Sequence, residues 1–331
     1  MTWLVWRQHR LQLAIGAALL GTLTVLLLVT GVRMASQYRV ALASCTASGD
    51  CSNLAQTLDL GVPAVGRIVV MTIGVPLLVG LFWGAPLVAR ELETGTSQFA
   101  WTQSVTRRRW LSVKAGGLLL AAAATAGAVS TLVTWWSGPK NALHLDIFTA
   151  GFDYMGVTPA AYAAFAVALG IAAGAVLRRT LPTLAVTLAG FIGVRLLISG
   201  YAREHYISPV TRHFDLLSGF TPTGPYWQLD RGIITPHGVL SQSFYGSTVN
   251  GVPVAALPAR CQALLDLGNS VTKASLRTAG ACVRGAGYRG YLTYQPAGRF
   301  WIFQGIEAAI FVALAAALIA VAFWVIRRRD A

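Results

Sequence analysis

The chain has 331 residues, of which 55% are hydrophobic and only 11% charged, with a formal net charge of +14. A mean hydropathy of +0.59 excludes a water-soluble globular domain and marks an integral membrane protein. The positive charge does not point to nucleic acid, because much of it flanks apolar runs, where Arg meets anionic lipid headgroups.

At about 20 residues per helical crossing of a hydrocarbon core about 30 Å thick, the apolar runs give six spans. They are Leu11 to Val32, Ile68 to Ala89, Ala115 to Trp136, Pro159 to Leu177, Leu181 to Gly200, and Phe300 to Ile326. Each run is continuous and lacks the alternation of a barrel strand, so the expected fold class is an all-α polytopic membrane protein. Its expected domains are 1–200 (an N-terminal interfacial helix and five spans), 201–299 (an outer domain between spans five and six), and 300–331 (the last span and a basic tail).

The first ten residues set Trp3, Leu4, Val5 and Trp6 beside Arg7, His9 and Arg10, which reads equally as an amphipathic interfacial piece or an aromatic and basic anchor. The next run is longer than a signal core and is taken as an uncleaved span. The second span carries Pro63, Pro76 and Pro86, so kinks are expected in it. The third and fourth are rich in small residues, including Ala163, Ala166, Gly170 and Gly174, which suit close helix packing. Arg178 and Arg179 form a tight turn before the fifth span.

Basic residues set the orientation. Arg7, Arg10, Arg90, Arg107 to Arg109, Lys114, Arg178, Arg179 and Arg327 to Arg329 fall on one side, against Arg33, Arg39, Arg67 and Lys140 on the other. Both termini are therefore expected in the cytoplasm and 201–299 outside. Cys45, Cys51, Cys261 and Cys282 then all lie on the oxidising side, which reads as two disulfides. Proximity in sequence favours Cys45 with Cys51 and Cys261 with Cys282, although three connectivities are open. Zinc is the competing reading, with no Cys-x-x-Cys or His pair to support it.

Two charges lie within spans. Arg195 is about one and a half turns from the outer end of the fifth span, and Glu307 about two turns into the sixth. Their similar depth makes an ion pair the expectation, with a register-fixing role and a gating role both open. In 201–299, helical character runs from Val254 to Ala281 and is expected to end between Asn269 and Lys273, while Tyr288 to Tyr294 reads as strand or loop. His205, His213 and His237 match no metal-site spacing.

The most informative stretch is 90–114. Glu91 and Glu93 are followed by Gly95 and Thr96, which break the helix leaving the second span, and Thr96 or Ser97 can cap a short helix carrying Phe99 and Trp101. Arg107 to Arg109 and Lys114 return the chain to the bilayer. The order Arg-Glu-x-Glu-x-Gly-Thr, short helix, basic cluster and Lys resembles the coupling segment of ABC-2 type exporter permeases. That resemblance, together with the six-span layout, implies a permease subunit of the bacterial cytoplasmic membrane. It also implies two copies of a cytoplasmic ABC ATPase that bind ATP and Mg, and a second permease copy, as a homodimer or a related pair. Glu91, Glu93, Gly95, Thr96, Ser97, Phe99 and Trp101 would then form the ATPase-coupling surface. Ser104, Val105 and Thr106 stand where many relatives have a proline, and the outer domain is larger than in many relatives.

The chain has no Gly-x-x-x-x-Gly-Lys-Ser/Thr loop, so ATP hydrolysis is expected in the partner and no cofactor in this chain. The expected cargo is hydrophobic or amphipathic: a drug, a lipid or a peptide. The alternative is a ligand-sensing or immunity component whose outer domain binds a ligand and whose inner loop signals to a cytoplasmic partner. An intramembrane enzyme would need paired ionisable groups near the bilayer centre, which Arg195 and Glu307 do not supply.

Overall fold

A computed structural model describes residues 2–48, 63–95, 106–141, 148, 151–222, 226–241, 248–249, 252–253, 256–265 and 272–328. It divides into a membrane unit, 1–206 with 300–331, and an inserted unit, 207–299.

Six helices of the described chain are long and apolar enough to cross a membrane: Gly16–Ser44, Ala64–Glu93, Arg108–Pro139, Thr158–Leu177, Thr180–His205 and Ala297–Arg328. The first differs from the expected span. A single helix runs Thr2–Ser48, about 70 Å long at 1.5 Å per residue, and its apolar window extends past Val32 through Arg33 and Arg39. No glycine or proline occurs between Val32 and Ser48 to stop it. The interfacial piece is thus continuous with the span rather than a separate element.

Prolines break up the second span as expected. Helix Pro63–Met71 passes through a 3-10 turn, Thr72–Gly74, just before Pro76, and Val75–Val79 passes through a π turn, Gly80–Gly84, just before Pro86. In the π turn the Ala85 amide donates to the Gly80 carbonyl, five residues back. The helix then resumes over Ala85–Glu93. Gly95, at φ +73°, ends it in the left-handed conformation that glycine tolerates best.

The fourth span, Thr158–Leu177, is the hub. Most of its residues are buried, including Tyr162, Phe165, Ile171 and a run of alanines. The second span approaches it almost backbone to backbone. A methyl added at Gly170 would stand 2.5 Å from the Ala85 nitrogen, and one at Gly84 2.9 Å from the Val167 Cα. Gly80 and Gly84 thus lie against Ala166 and Val167, and Gly170 and Gly174 against Gly84, Ala85 and Ala89, in the small-residue packing that lets membrane helices touch closely. Outward from this core, Leu19, Phe82, Leu120, Leu181 and Leu196 are exposed, as on a lipid-facing surface. The first span packs on the third, where the Trp136 indole donates to Thr30 Oγ1 at 3.0 Å.

The inserted unit corrects the all-α expectation. It holds a four-stranded antiparallel sheet of order β1-β6-β2-β3, made of β1 Val210–Phe214, β2 Tyr226–Thr235, β3 Gly238–Ser241 and β6 Arg289–Pro296. A separate ribbon pairs β4 Thr248–Val249 with β5 Val252–Pro253. The helical stretch also differs from expectation: short turns at Ala259–Gln262 and Ala263–Leu265 precede a helix that begins, rather than ends, at Lys273. Thr272 and Ser275 form a reciprocal capping box there, a start signal carried by two hydroxyl residues. Helix Lys273–Gly285 closes a small core of Leu216, Leu217, Ile233, Leu257, Leu265 and Val283, and Cys261 and Cys282 are joined in a disulfide. The pairing of Cys45 with Cys51 lies outside the described residues.

Candidate functional site

Two constellations in the membrane unit contain the residues singled out from the sequence. The first lies where the second span ends. The Glu93 carboxylate accepts hydrogen bonds from the Thr180 amide at 2.9 Å and the Thr180 hydroxyl at 2.6 Å, through one oxygen. Thr180 opens the fifth span, and the flanking Arg179 provides no side-chain cap of its own. Glu93 therefore caps another helix, placing negative charge where unpaired amides and the helix dipole favour it. Glu91 pairs instead with Lys114 of the third span, whose ammonium also lies 4.9 Å over the Trp110 ring. The turn that brings Thr180 there uses Arg178 at φ +54°, the left-handed cap of the fourth span.

The described beginning of the 90–114 segment is thus tied to spans three and five. Leu111, Ala115, Val88, Ala175 and Val325 pack together beside these contacts. Thr96, Ser97, Phe99 and Trp101 lie outside the described residues.

The second constellation is a buried charge network. Arg195 and Glu307 approach to 3.3 Å, but the closer partner of Glu307 is Arg203, whose Nε and Nη2 each lie 2.9 Å from its oxygens. The Tyr162 hydroxyl donates to Glu307 at 2.5 Å and the Tyr206 hydroxyl at 3.2 Å. Asp153 completes the set, accepting from Arg203 at 2.6 Å and lying 3.1 Å from Arg195. Glu307 is fully buried and Arg203 is 3% exposed. Two guanidinium groups against two carboxylates leave no net formal charge, and the many donors on Glu307 replace the water it has lost. Aromatic faces finish the enclosure: Arg195 stacks 3.8 Å over Tyr162 and Arg203 4.1 Å over Phe152. Burial, with the negative charge of Glu307 next in effect, pushes the Tyr206 hydroxyl above the usual phenol range.

Sequence reading missed Arg203, Asp153, Tyr162 and Tyr206. The fifth span was expected to stop at Gly200, yet the helix continues through a π turn, Ile198–Ala202, into Arg203–His205. Seven α-helical residues complete two turns to within about 20°, and the π turn accommodates one more. Arg203, eight residues after Arg195, therefore returns to the same face. In an unbroken α-helix a spacing of eight falls about 80° off the starting face, so the spacing alone does not mark Arg203. Asp153, in a 3-10 turn Gly151–Asp153, carries no periodicity that could have marked it.

A third set of contacts positions this turn. Gln304 accepts from the Val157 and Thr158 amides, both at 3.0 Å, and donates to the Phe152 carbonyl at 3.0 Å. Gly156 sits against it at φ +72°, where an added methyl would meet the Gln304 amide oxygen at 2.6 Å. Ser130 and Thr134 of the third span grip Gly156 from the other side, at 2.6 and 2.9 Å. Among the described residues no group of His, Cys, Asp and Glu could hold a metal ion.

The family model described as ABC-2 membrane transporter related matches residues 17–203, more than half of the chain, and the chain belongs to that family. With its six apolar helices it is a multi-pass membrane protein. No curated protein and no solved structure matches it.

Proposed function

We propose that this member of the family is the membrane-spanning permease subunit of an ABC exporter, driven by a separate cytoplasmic ATPase that binds ATP and Mg. Family membership is the observation that carries the reading. The termini and the 90–114 segment lie in the cytoplasm, a side assigned from the basic residues gathered at Arg90, Arg108, Arg109, Lys114, Arg178 and Arg179. The inserted unit lies outside, in keeping with its disulfide. Two copies of the permease associate with two ATPase subunits, and the cargo is hydrophobic or amphipathic.

The wiring of the segment supports a mechanism. A push on residues 96–105 by closing ATPase subunits reaches the fifth span through Glu93 and Thr180 and the third through Glu91 and Lys114. The second span, with its 3-10 and π turns, is the bendable member. The rigid hub around the fourth span gives the others something to move against.

Affinity purification of the full-length chain from its native membrane tests the reading. An ABC ATPase is expected to co-purify, and Phe99→Asp to release it while the six-span protein remains folded. Absence of any ATPase, or retention by Phe99→Asp, counts against coupling through this segment. Glu93→Arg is a poor substitute, because it would also uncap the fifth span.

A further inference from the structure

The inserted unit contains an open cleft of about 500 Å³ on its sheet, lined by Arg212, Phe220, Tyr226, Tyr294 and Pro296 among others. We infer that this cleft binds a small organic anion with a flat aromatic body, of the aromatic carboxylate class.

The strand register builds the aromatic wall. Val210 pairs with Tyr294 and Tyr294 with Gln228, Arg212 pairs with Leu292 and Leu292 with Arg231, and Tyr226 pairs with Pro296. Directly paired residues share a face, so Arg212, Tyr294 and Tyr226 stand on the same side of the sheet. The segment after β1 folds Phe220 onto that side, with its ring centroid 6.4 Å from Tyr294 and 5.9 Å from Phe214. Tyr226 meets Tyr294 edge to face at 5.7 Å. The Phe214 ring lies on Gly290, where a Cβ would approach it to 2.4 Å, so the row ends against bare backbone. Such walls offer π faces to a flat ligand.

Charge selects the ligand's polar end. Arg212 is exposed at the cleft, and among the described residues its side chain makes no ion pair or hydrogen bond. Among the described residues no carboxylate lines the cleft. The described aspartates of the unit are engaged elsewhere: Asp215 with Arg284 at 2.6 Å, and Asp230 accepting from Tyr291 at 2.8 Å. Across 207–299 there are eight Lys and Arg against three Asp and no Glu, so the surrounding field also favours an anion. The Tyr226 and Tyr294 hydroxyls have no partner among the described residues and remain available to a ligand substituent. A planar carboxylate fits the forked guanidinium of Arg212. The inference concerns the inserted unit alone and does not depend on the permease reading.

Equilibrium binding of 2-naphthoate to the full-length chain in lipid nanodiscs, with empty nanodiscs as the blank, tests it. Saturable binding at one site per chain is expected. Arg212→Gln should weaken it about tenfold, the effect of losing one charge-assisted contact at a partly exposed site, and Arg212→Lys should restore part of that loss. Tyr294→Leu should weaken it as well, while Arg277→Gln, exposed on helix Lys273–Gly285, should not. The neutral analogue 2-naphthalenemethanol should bind about tenfold more weakly for the same reason. A limited-proteolysis pattern across 207–299 unchanged from wild type confirms that each variant is folded. No saturable binding above the blank, equal affinity for the neutral analogue, or wild-type affinity in folded Arg212→Gln would each overturn the inference.

Discussion

Replacing Glu307 by Gln keeps shape and removes one negative charge from a fully buried network. The two guanidinium groups would then share only Asp153, and the amide would present donors to a site already crowded with donors from Tyr162, Arg195, Arg203 and Tyr206. Removing one partner of a buried ion pair costs about 3–5 kcal/mol. At about 2–4 °C per kcal/mol for a unit of this size, the unfolding midpoint of the detergent-solubilised chain should fall by on the order of 10 °C. Arg203→Gln should cost more than Arg195→Gln, because Arg203 makes two contacts of 2.9 Å and is the more deeply buried, whereas Arg195 reaches Glu307 only at 3.3 Å. The double variant Glu307→Gln with Arg203→Gln leaves Asp153 beside Arg195 with no net charge, so its loss should fall short of the summed single losses by about 1–3 kcal/mol. Differential scanning fluorimetry on the singles and the double completes the cycle. A shift within about 2 °C for Glu307→Gln, the scale of a surface substitution, or strict additivity in the double, would refute the reasoning.

Gly170→Ala should destabilise the membrane unit by about 1–3 kcal/mol, since the new methyl meets the Ala85 backbone nitrogen at 2.5 Å. Gly117→Ala, in a helix interior where nothing lies within 4 Å, is the control and should leave the midpoint unchanged or raise it slightly. Thr180→Val removes the hydroxyl bonded to Glu93, so hydrogen exchange of the first-turn amides of the fifth span should speed up while the fourth span stays protected. Reduction, or Cys282→Ser, opens a loop of sequence separation 21 and should cost the inserted unit about 3 kcal/mol. Limited proteolysis should then cut within 207–299 and spare the six helices.

Much of this architecture can be read from composition and order, because the membrane imposes uniform demands on length and polarity. Spans two to six lie close to their apolar runs. The first does not, since helix formation continues through Arg33 and Arg39 wherever no residue stops it, whatever the hydropathy. Arg195 and Glu307 could be brought together from their depth alone. Arg203 could not be placed until the π turn at Ile198–Ala202 was known, because a local change in helical winding decides which face a residue occupies. The Glu93 contact to Thr180 joins residues 87 positions apart, and no local pattern encodes it. The close approach at Gly80 and Gly84 is hidden for a different reason: a pair of glycines in a proline-rich span reads first as flexibility, and only the backbone of Ala166 and Val167 against them identifies a packing surface.

The most direct test of ATPase coupling places a photoreactive phenylalanine analogue at Phe99 and, in a separate protein, at Arg212, followed by irradiation in native membranes. Coupling through the 90–114 segment predicts a crosslink from position 99 to an ABC ATPase and none from position 212. No ATPase crosslink at 99, or equal crosslinking from both positions, would contradict it.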